Sequence, residues 1–518
     1  MTGARFDFTA PVPRAEELGP VHVIAIGGSG VSGVARLFLS RGVQVSGSDQ
    51  RDSPTLRSLE QAGARVHVGH DPAHLGDART VIVSGAVGED NPELAAARAA
   101  GLTVLHRAQG IAAFLHGRPA VAVAGANGKT TTSALTTAAL QAAGADPGYV
   151  LGAPLASTGV SAAPGAADAP VVVEADESDG SFLTYRPQVA VVTNVQPDHL
   201  DHYGDAAAVE AAYRDFVGTV PRDGLLITTL DDPGAARLAA DARASGLRVV
   251  TWGTEGTEGT EGTEGTEGAE GADVLVDDVR SEGTSASGTV VVGPGVPGLE
   301  EGTTVRLHLP APGEHTVHNA VAALLTATVG LGLPLGLAVD GLERFAGVHR
   351  RFERVGAVDG VEVVDDYAHN APKVAALVRA ARSAAAGRRL VVAFQPHLFS
   401  RTRDFAPGFV EGLAGADVVV LLPVYAARER QEDHPEVTSG LLASGLRAHA
   451  AAPLVLEVGS VGAAAPALAE VVADRVESLV VTVGAGDVTG VGAELLDLLE
   501  RRRRTGAAAP RTVDGGAS

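Results

Sequence analysis

The sequence predicts an α/β protein of three domains, and three observations carry that expectation. Its 518 residues exceed what one hydrophobic core ordinarily serves. Short apolar runs rich in Val, Ala and Leu alternate with helical stretches along most of the chain, the order that yields parallel sheets covered by helices. Those runs end repeatedly in glycine-rich, acidic or histidine-bearing tips, where open α/β sheets gather their ligands.

The first domain is expected over residues 1–117. Residues 21–26 form an apolar run that enters GGSGVSGVAR and then a helical pattern, and further strands are expected at 43–46, 66–68, 81–84 and 103–105. Gly28, Gly30 and Gly33 thus make G-x-G-x-x-G directly after a strand, with Asp49 at the next strand's tip about twenty residues on. In that context the glycines let backbone N–H groups approach a diphosphate and the acid reaches a ribose hydroxyl, as in a Rossmann-like domain. The pattern suits NAD and a UDP-sugar equally.

The second domain, expected over 118–346, begins with the strand 120–124 and AGANGKTTT. A phosphate loop usually has four residues between its first glycine and Gly-Lys-Ser/Thr, whereas only Ala126 and Asn127 separate Gly125 from Gly128. The strand before and the helix after are nevertheless those a phosphate cradle requires. Backbone N–H groups from Gly125 to Lys129 would face the phosphates, Lys129 would neutralise charge, and Thr130 would offer a metal-ligand hydroxyl. Lysine usage points the same way: the chain holds only Lys129 and Lys373. Arginine replaces lysine on a solvated surface but not as a compact point charge in a tight loop.

Two further strands carry VVVEADESDG and VAVVTNVQPDHLDHYGD. Glu174 ends the first, where phosphate-loop enzymes hold a metal-linked carboxylate. Asp176, Glu177 and Asp179 each read more simply as loop acids. For His199 the residue type alone argues against a magnesium role, since that ion prefers oxygen. The Thr-Glu-Gly tract at 253–271 reads as a solvated loop expansion.

The third domain is expected over 347–518, with strands ending in VEVVDDYAHN, RLVVAFQPH, DVVVLLPVYAAR and SLVVTVGAGD and an unstructured tail at 501–518. His318-Asn319 and the pair Arg350, Arg351 flank the boundary. Asparagine can pair with an adenine edge and arginine can clamp a phosphoryl group, although each such residue is more often a cap or a surface charge.

Composition removes several classes. A formal charge of -22 argues against nucleic acid or an anionic membrane as partner, so an anionic ligand needs a local site. The absence of cysteine excludes disulfides and thiolate metal sites. With no signal-like segment and no apolar span of about 18 residues, the expectation is a soluble cytoplasmic protein without membrane insertion, monomeric or a weak homodimer.

These motifs in this order resemble the Mur ligase family, and within it the alanine-adding branch. The matching pieces are IGGSGVSGVA, GSD, AGANGKTTT, EADESDGSFL, TNVQPDHLDHY, HNAVAAL, GVHRRFE, DDYAHN, FQPHLFSRTRDF, VYAARE and GAGD, spread over residues 21–492. The short G-x-x-G-K-T loop is similar to that family's own form. The resemblance implies a UDP-binding first domain, a central domain for ATP and Mg2+, and a third domain for the amino acid. It implies that ATP phosphorylates the lactyl carboxylate of UDP-N-acetylmuramate and that the L-alanine amine then displaces phosphate, in peptidoglycan precursor synthesis.

Carried over by motif, Gly125, Ala126, Asn127, Gly128, Lys129, Thr130, Thr131, Asn319, Arg351 and Asp366 would bind the nucleotide, with Asn319 at the adenine and Arg351 at the phosphates. Thr130, Glu174 and His199 would serve the metal. Gly28, Ser29, Gly30, Asp49 and Ser84 would hold the UDP substrate, and Tyr367, His397 and Arg401 would surround the amino acid. Lys129, Glu174, His199, Arg351, His397 and Arg401 would be catalytic. The branch usually has Thr-His at Ala126-Asn127, His at Asn370 and Arg at Leu398. Competing readings are an NAD(P)-dependent oxidoreductase, which leaves the second phosphate loop unexplained, a nucleotide-binding switch, and the family's muropeptide-recycling tripeptide ligase.

Overall fold

Residues 5–254, 271–427, 429–474 and 476–505 are described by a computed structural model of the protein. The Thr-Glu-Gly tract from 255 to 270, Arg428 of VYAARE and the tail beyond 505 lie outside the described residues. Three sheets organise the chain. The first has five parallel strands in the order Arg65–Val68, Val45–Asp49, Val21–Ile24, Thr80–Val83, Thr103–His106. Val21–Ile24 lies in the middle, buried along its whole length, which is why it reads as an unbroken apolar run apart from His22.

His22 belongs to a polar layer under this sheet. Glu93 is fully buried there. Its Oε2 accepts from Ser48 Oγ at 2.5 Å and lies 3.1 Å from His70 Nδ1, while Oε1 lies 3.0 Å from His74 Nδ1 and accepts from the Asp71 N–H at 3.3 Å. His22 Nε2 stands 3.7 Å from the same carboxylate. Burial pushes this carboxyl up, but the nearby His22 ring and the contacts from Ser48 and His70 outweigh it and hold the group down at about 2. Such donors are what make a buried carboxylate tolerable.

The second sheet has ten strands, and its parallel heart runs Arg248–Thr254, Leu225–Thr229, Val189–Val192, Ala120–Ala124, Val171–Glu174. The tips of Ala120–Ala124, Val171–Glu174 and Val189–Val192 are therefore adjacent. The third sheet, in the order Glu353–Val358, Val361–Asp366, Ser478–Val483, Arg389–Phe394, Val418–Leu421, Leu454–Glu457, is parallel except for its first, antiparallel pair.

By packing, the chain forms two compact units. The first holds residues 1–279, 288–307 and 317–346; the second holds 280–287, 308–316 and 347–518. Two expectations are corrected. Gly253 is not loop but lies in the strand Arg248–Thr254. Residues 501–505 are not tail but end the helix Val491–Thr505, where Arg502 donates to the Ala469 carbonyl at 3.0 Å and pairs with Glu470. Arginines in a last helical turn also complement its carbonyl dipoles, a stabilisation that apolar periodicity does not register.

Candidate active site

In the first unit, the strand Ala120–Ala124 passes through Gly125 into the helix Lys129–Ala142. Gly125 has φ 134° and Gly128 φ 86°, both in the region that favours glycine. A Cβ on Gly125 would run into the Thr193 hydroxyl, and one on Gly128 into the Asn319 amide. The short loop is held from outside. The Asn127 N–H donates to Asn194 Oδ1 at 2.9 Å and the Asn194 amide returns a bond to the Asn127 carbonyl at 3.1 Å. Asn127 also donates to Gln196 Oε1 at 3.2 Å. Ala126 is buried, Thr130 and Thr131 follow in the first helical turn with Thr130 buried, and Thr132 donates to Asn319 Oδ1 at 3.3 Å. Asn319 thus stands against the loop, on the helix Glu314–Leu325.

Lys129 Nζ reaches the Gly125 carbonyl at 2.7 Å and Glu177 Oε2 at 2.8 Å. Burial works to lower the amine's pKa, but the carboxylates of Glu177, Asp176 and Glu174 outweigh it and keep the lysine charged. For Glu177 burial dominates and raises the carboxyl, with Lys129 pulling the other way. We read the pair as ionised at neutral pH, since the direct 2.8 Å contact compensates both charges.

Glu174 ends its strand and accepts from the Gly152 N–H at 2.7 Å. His199 adopts φ 54° at the start of a short helix, its Nε2 3.9 Å from Glu177 Oε1. Among the described residues no group of three or more His, Asp or Glu side chains forms a ready metal cage. Magnesium keeps several waters and commonly takes one or two protein carboxylates plus phosphate oxygens. The Glu174 carboxylate at its strand tip and the Thr130 hydroxyl in the first turn of the helix Lys129–Ala142 offer oxygens of the kind that ion prefers, while His199 stands at the start of a short helix.

The first sheet presents the other predicted ligand loop. Gly28 precedes the helix Ser29–Ser40 with no side-chain cap, and its carbonyl accepts from the N–H groups of Val31 and Ser32 at 3.0 and 2.9 Å. Asp49 Oδ2 accepts from the Gly27 N–H at 3.0 Å, which ties the strand tip to the glycine turn. Ser84 follows its strand directly, and its carbonyl accepts from Val87. The side chain of Ser29 lies outside the described part of the structure.

In the second unit, Asp366 is buried and accepts from the N–H groups of Phe352 and Ala368, both at 2.8 Å. Burial raises its carboxyl despite Arg351 nearby. The guanidinium carbons of Arg350 and Arg351 lie 4.8 and 5.6 Å from the centre of the Tyr367 ring. His369 is pushed down to about 3, by burial first and then by Arg401 and Lys373 nearby, with the His397 ring adding to the same effect. Arg401 Nη1 is buried without a hydrogen-bond partner among the described residues. His397 stacks on Tyr425 at 5.8 Å, and the Leu398 N–H donates to the Tyr425 carbonyl at 2.9 Å with Leu398 at φ 66°. Asn370 caps the helix Ala371–Ala385 through the Lys373 N–H at 3.0 Å.

The structure therefore gathers Gly125 to Thr131, Glu174, His199 and Asn319 in one unit, and Arg351, Asp366, Tyr367, His397 and Arg401 in the other. Sequence reasoning passed over Glu177, Thr193 and Asn194. Glu177 looked like one loop acid among several, and only its burial against Lys129 singles it out. The dipeptide Thr193-Asn194 at a strand tip was the available signal for a loop clasp.

Three family models match in sequence order: "Mur ligase family, catalytic domain" over residues 20–118, "Mur ligase middle domain" over 123–327 and "Mur ligase, glutamate ligase domain" over 350–486. A UDP-N-acetylmuramate–L-alanine ligase of Kineococcus radiotolerans is 50% identical over 496 residues, covering 95% of this chain and 99% of that one. Its counterpart in Nocardioides is 46% identical with the same coverage. The crystal structure of the UDP-N-acetylmuramate-alanine ligase from Thermotoga maritima superposes with a TM-score of 0.74 at 26% identity, over 94% of this chain and 99% of that chain. With models matching all three sheets in order and relatives matching nearly end to end, this chain belongs to the Mur ligase family.

Proposed function

We propose that the protein is an ATP-dependent ligase that joins L-alanine to the lactyl carboxylate of UDP-N-acetylmuramate through an acyl phosphate, in cytoplasmic peptidoglycan precursor synthesis. The observation that carries this reading is the presence of two glycine loops at helix N-termini in one unit and of Arg401, with the buried Nη1, beside His369 and His397 in the other. An oxidoreductase accounts for the first loop alone.

Each loop has a task. Gly28 to Gly30 and Asp49 hold the UDP moiety, with Ser84 beside them. Gly125 to Thr131 receive the ATP phosphates, Asn319 the adenine side, and Arg351 and Asp366 act on the nucleotide from the third domain. Thr130, Glu174 and His199 would hold Mg2+, which when bound neutralises phosphate charge. Lys129, kept charged by Glu177, meets the transferring phosphoryl group, so the negative charge that develops finds a cation already in place. The buried Nη1 of Arg401 matches an amino-acid carboxylate, while Tyr367 and His397 bound the same pocket. The depressed pKa of His369 keeps that imidazole neutral beside these cations.

The domain limits that go with this reading are 1–117 for the UDP substrate, 118–346 for ATP and 347–518 for the amino acid. The substrates are small and soluble, and no described helix is long and apolar enough to cross a membrane. A monomer or weak homodimer suffices for the reaction. The test is purified protein with ATP, Mg2+ and UDP-N-acetylmuramate, with formation of UDP-N-acetylmuramoyl-L-alanine followed by mass spectrometry. Product with a tripeptide but not with alanine would replace this reading by the recycling ligase.

A further inference from the structure

Leu398 is bent to φ 66°, a backbone conformation that a leucine adopts only under strain. It stands between His397 and the helix Phe399–Asp404, which carries Arg401. The bend is held from both sides. The Leu398 N–H donates to the Tyr425 carbonyl at 2.9 Å and the Tyr425 N–H donates to the Pro396 carbonyl at 2.8 Å, which pairs His397 with Tyr425 as in a parallel ladder. The Leu398 carbonyl accepts from the Thr402 N–H at 3.1 Å and from the Thr402 hydroxyl at 2.7 Å. Strain of this kind persists only where the surrounding structure over-determines it, and such positions cluster where a fold must aim a side chain.

The Tyr425 side chain is fixed as firmly as its backbone. The strands Val418–Leu421, Arg389–Phe394 and Ser478–Val483 are neighbours, so their tips bring Tyr425, His397 and Gly486 to one place. Gly486 has no room for a side chain, since a Cβ there would strike both the Tyr425 ring and Gln395 Oε1. Gln395 is itself immobilised: it is buried, its Oε1 accepts from the Val488 N–H at 3.1 Å, and its own N–H donates to the Val483 carbonyl at 2.9 Å. Wedged against this support, the Tyr425 ring stacks on the His397 imidazole with centres 5.8 Å and planes 21° apart. The His369 ring meets the same imidazole edge-on at 5.5 Å.

We infer that Tyr425 is a positioning residue of the amino-acid pocket: its ring, wedged against Gly486, holds the His397 imidazole in one orientation at the bend that its backbone maintains. The incoming amino acid thus meets an imidazole already oriented. This rests on the ligase reading above and adds a residue to it. The test compares the full chain with Tyr425→Phe and Tyr425→Leu, which both keep the backbone bonds, while only phenylalanine keeps a flat ring. The KM for alanine should stay near wild type in Tyr425→Phe and rise about tenfold in Tyr425→Leu, the scale of one aromatic pair. The KM for ATP should move little in either. A second readout needs no substrate: with isotope-labelled histidine, the His397 ring signal, identified by its loss in His397→Gln, should shift in Tyr425→Leu and hold in Tyr425→Phe. Should Tyr425→Leu fail to fold, Gly486→Ala, which displaces the same ring, carries both measurements. An unchanged KM for alanine, equal rises for alanine and ATP, or the same loss in Tyr425→Phe as in Tyr425→Leu overturns the inference and leaves the ligase reading intact. If the wild-type chain forms no amide from alanine, the ligase reading falls, and an unshifted His397 signal in Tyr425→Leu overturns the positioning role as well.

Discussion

Lys129 Nζ and Glu177 Oε2 lie 2.8 Å apart inside the protein, so the phosphate-loop lysine has a buried carboxylate partner. Glu177 is 2% exposed, and its backbone carbonyl also accepts from the Tyr203 hydroxyl. ATP phosphates therefore meet a cation that a fixed carboxylate keeps charged and aimed.

Replacing the cation should stop chemistry more than folding. Lys129→Ala is expected to lower kcat by about 10²-fold or more, the usual scale for loss of a preorganised transition-state donor. Turnover close to wild type in that variant contradicts the placement of Lys129 at the transferring phosphoryl group.

Removing the carboxylate should instead show in stability. Glu177→Gln strands a buried ammonium, and breaking such a pair costs about 3 kcal/mol or more. ATP with Mg2+ then supplies the missing negative charge, so the thermal shift it produces should exceed that of wild type. Equal melting temperatures and equal ATP-induced shifts in the two proteins run against this account.

The polar layer under the first sheet gives a pH signature. Folding lowers the Glu93 carboxyl from its usual 4.5 to about 2, so its contribution is complete above about pH 4.5 and drains away as pH falls towards 2. The wild-type stability lost across that window on this account is of order 3 kcal/mol. Denaturant unfolding of wild type and Glu93→Gln at a series of pH values checks it: the variant should be less stable at neutral pH and have a flatter slope below pH 4.5. Parallel slopes show that Glu93 is not the titrating group.

The amino-acid pocket makes a kinetic prediction. If Arg401 receives the alanine carboxylate, Arg401→Ala should raise the KM for alanine by about tenfold or more, the worth of a charge-assisted pair. The KM for ATP should move little. Equal effects on both mean that Arg401 supports the fold of its domain and does not select the substrate.

Much of this architecture is legible in the sequence because buried parallel strands spell themselves as apolar runs with functional tips. The expected strands 120–124, Val171–Glu174 and Val189–Val192 appear as neighbours in register, so three separate motifs stand at adjacent strand tips. Glycine spacing likewise located the second loop, since Gly125 and Gly128 occupy backbone conformations that other residues strain to adopt. What remained hidden depends on pairing in space. Glu177 is an ordinary acid and Tyr425 an ordinary aromatic residue in the sequence, and only folding places one on Lys129 and the other on His397. Glu93 and its histidines come from separate elements of one domain with no shared motif. Residues 501–505 were hidden for a local reason, because charge at a helix end stabilises without apolar periodicity.

The central claim is that phosphate transfer from ATP is committed to joining one amino acid to one nucleotide-sugar carboxylate. Its most direct measurement is phosphate release from ATP by the full chain, with UDP-N-acetylmuramate and each amino acid supplied in turn. The account predicts sustained release only when ATP, UDP-N-acetylmuramate and alanine are all present, matched by equal amounts of amide product. Release that proceeds at the same rate without the amino acid, or none under any combination, contradicts it.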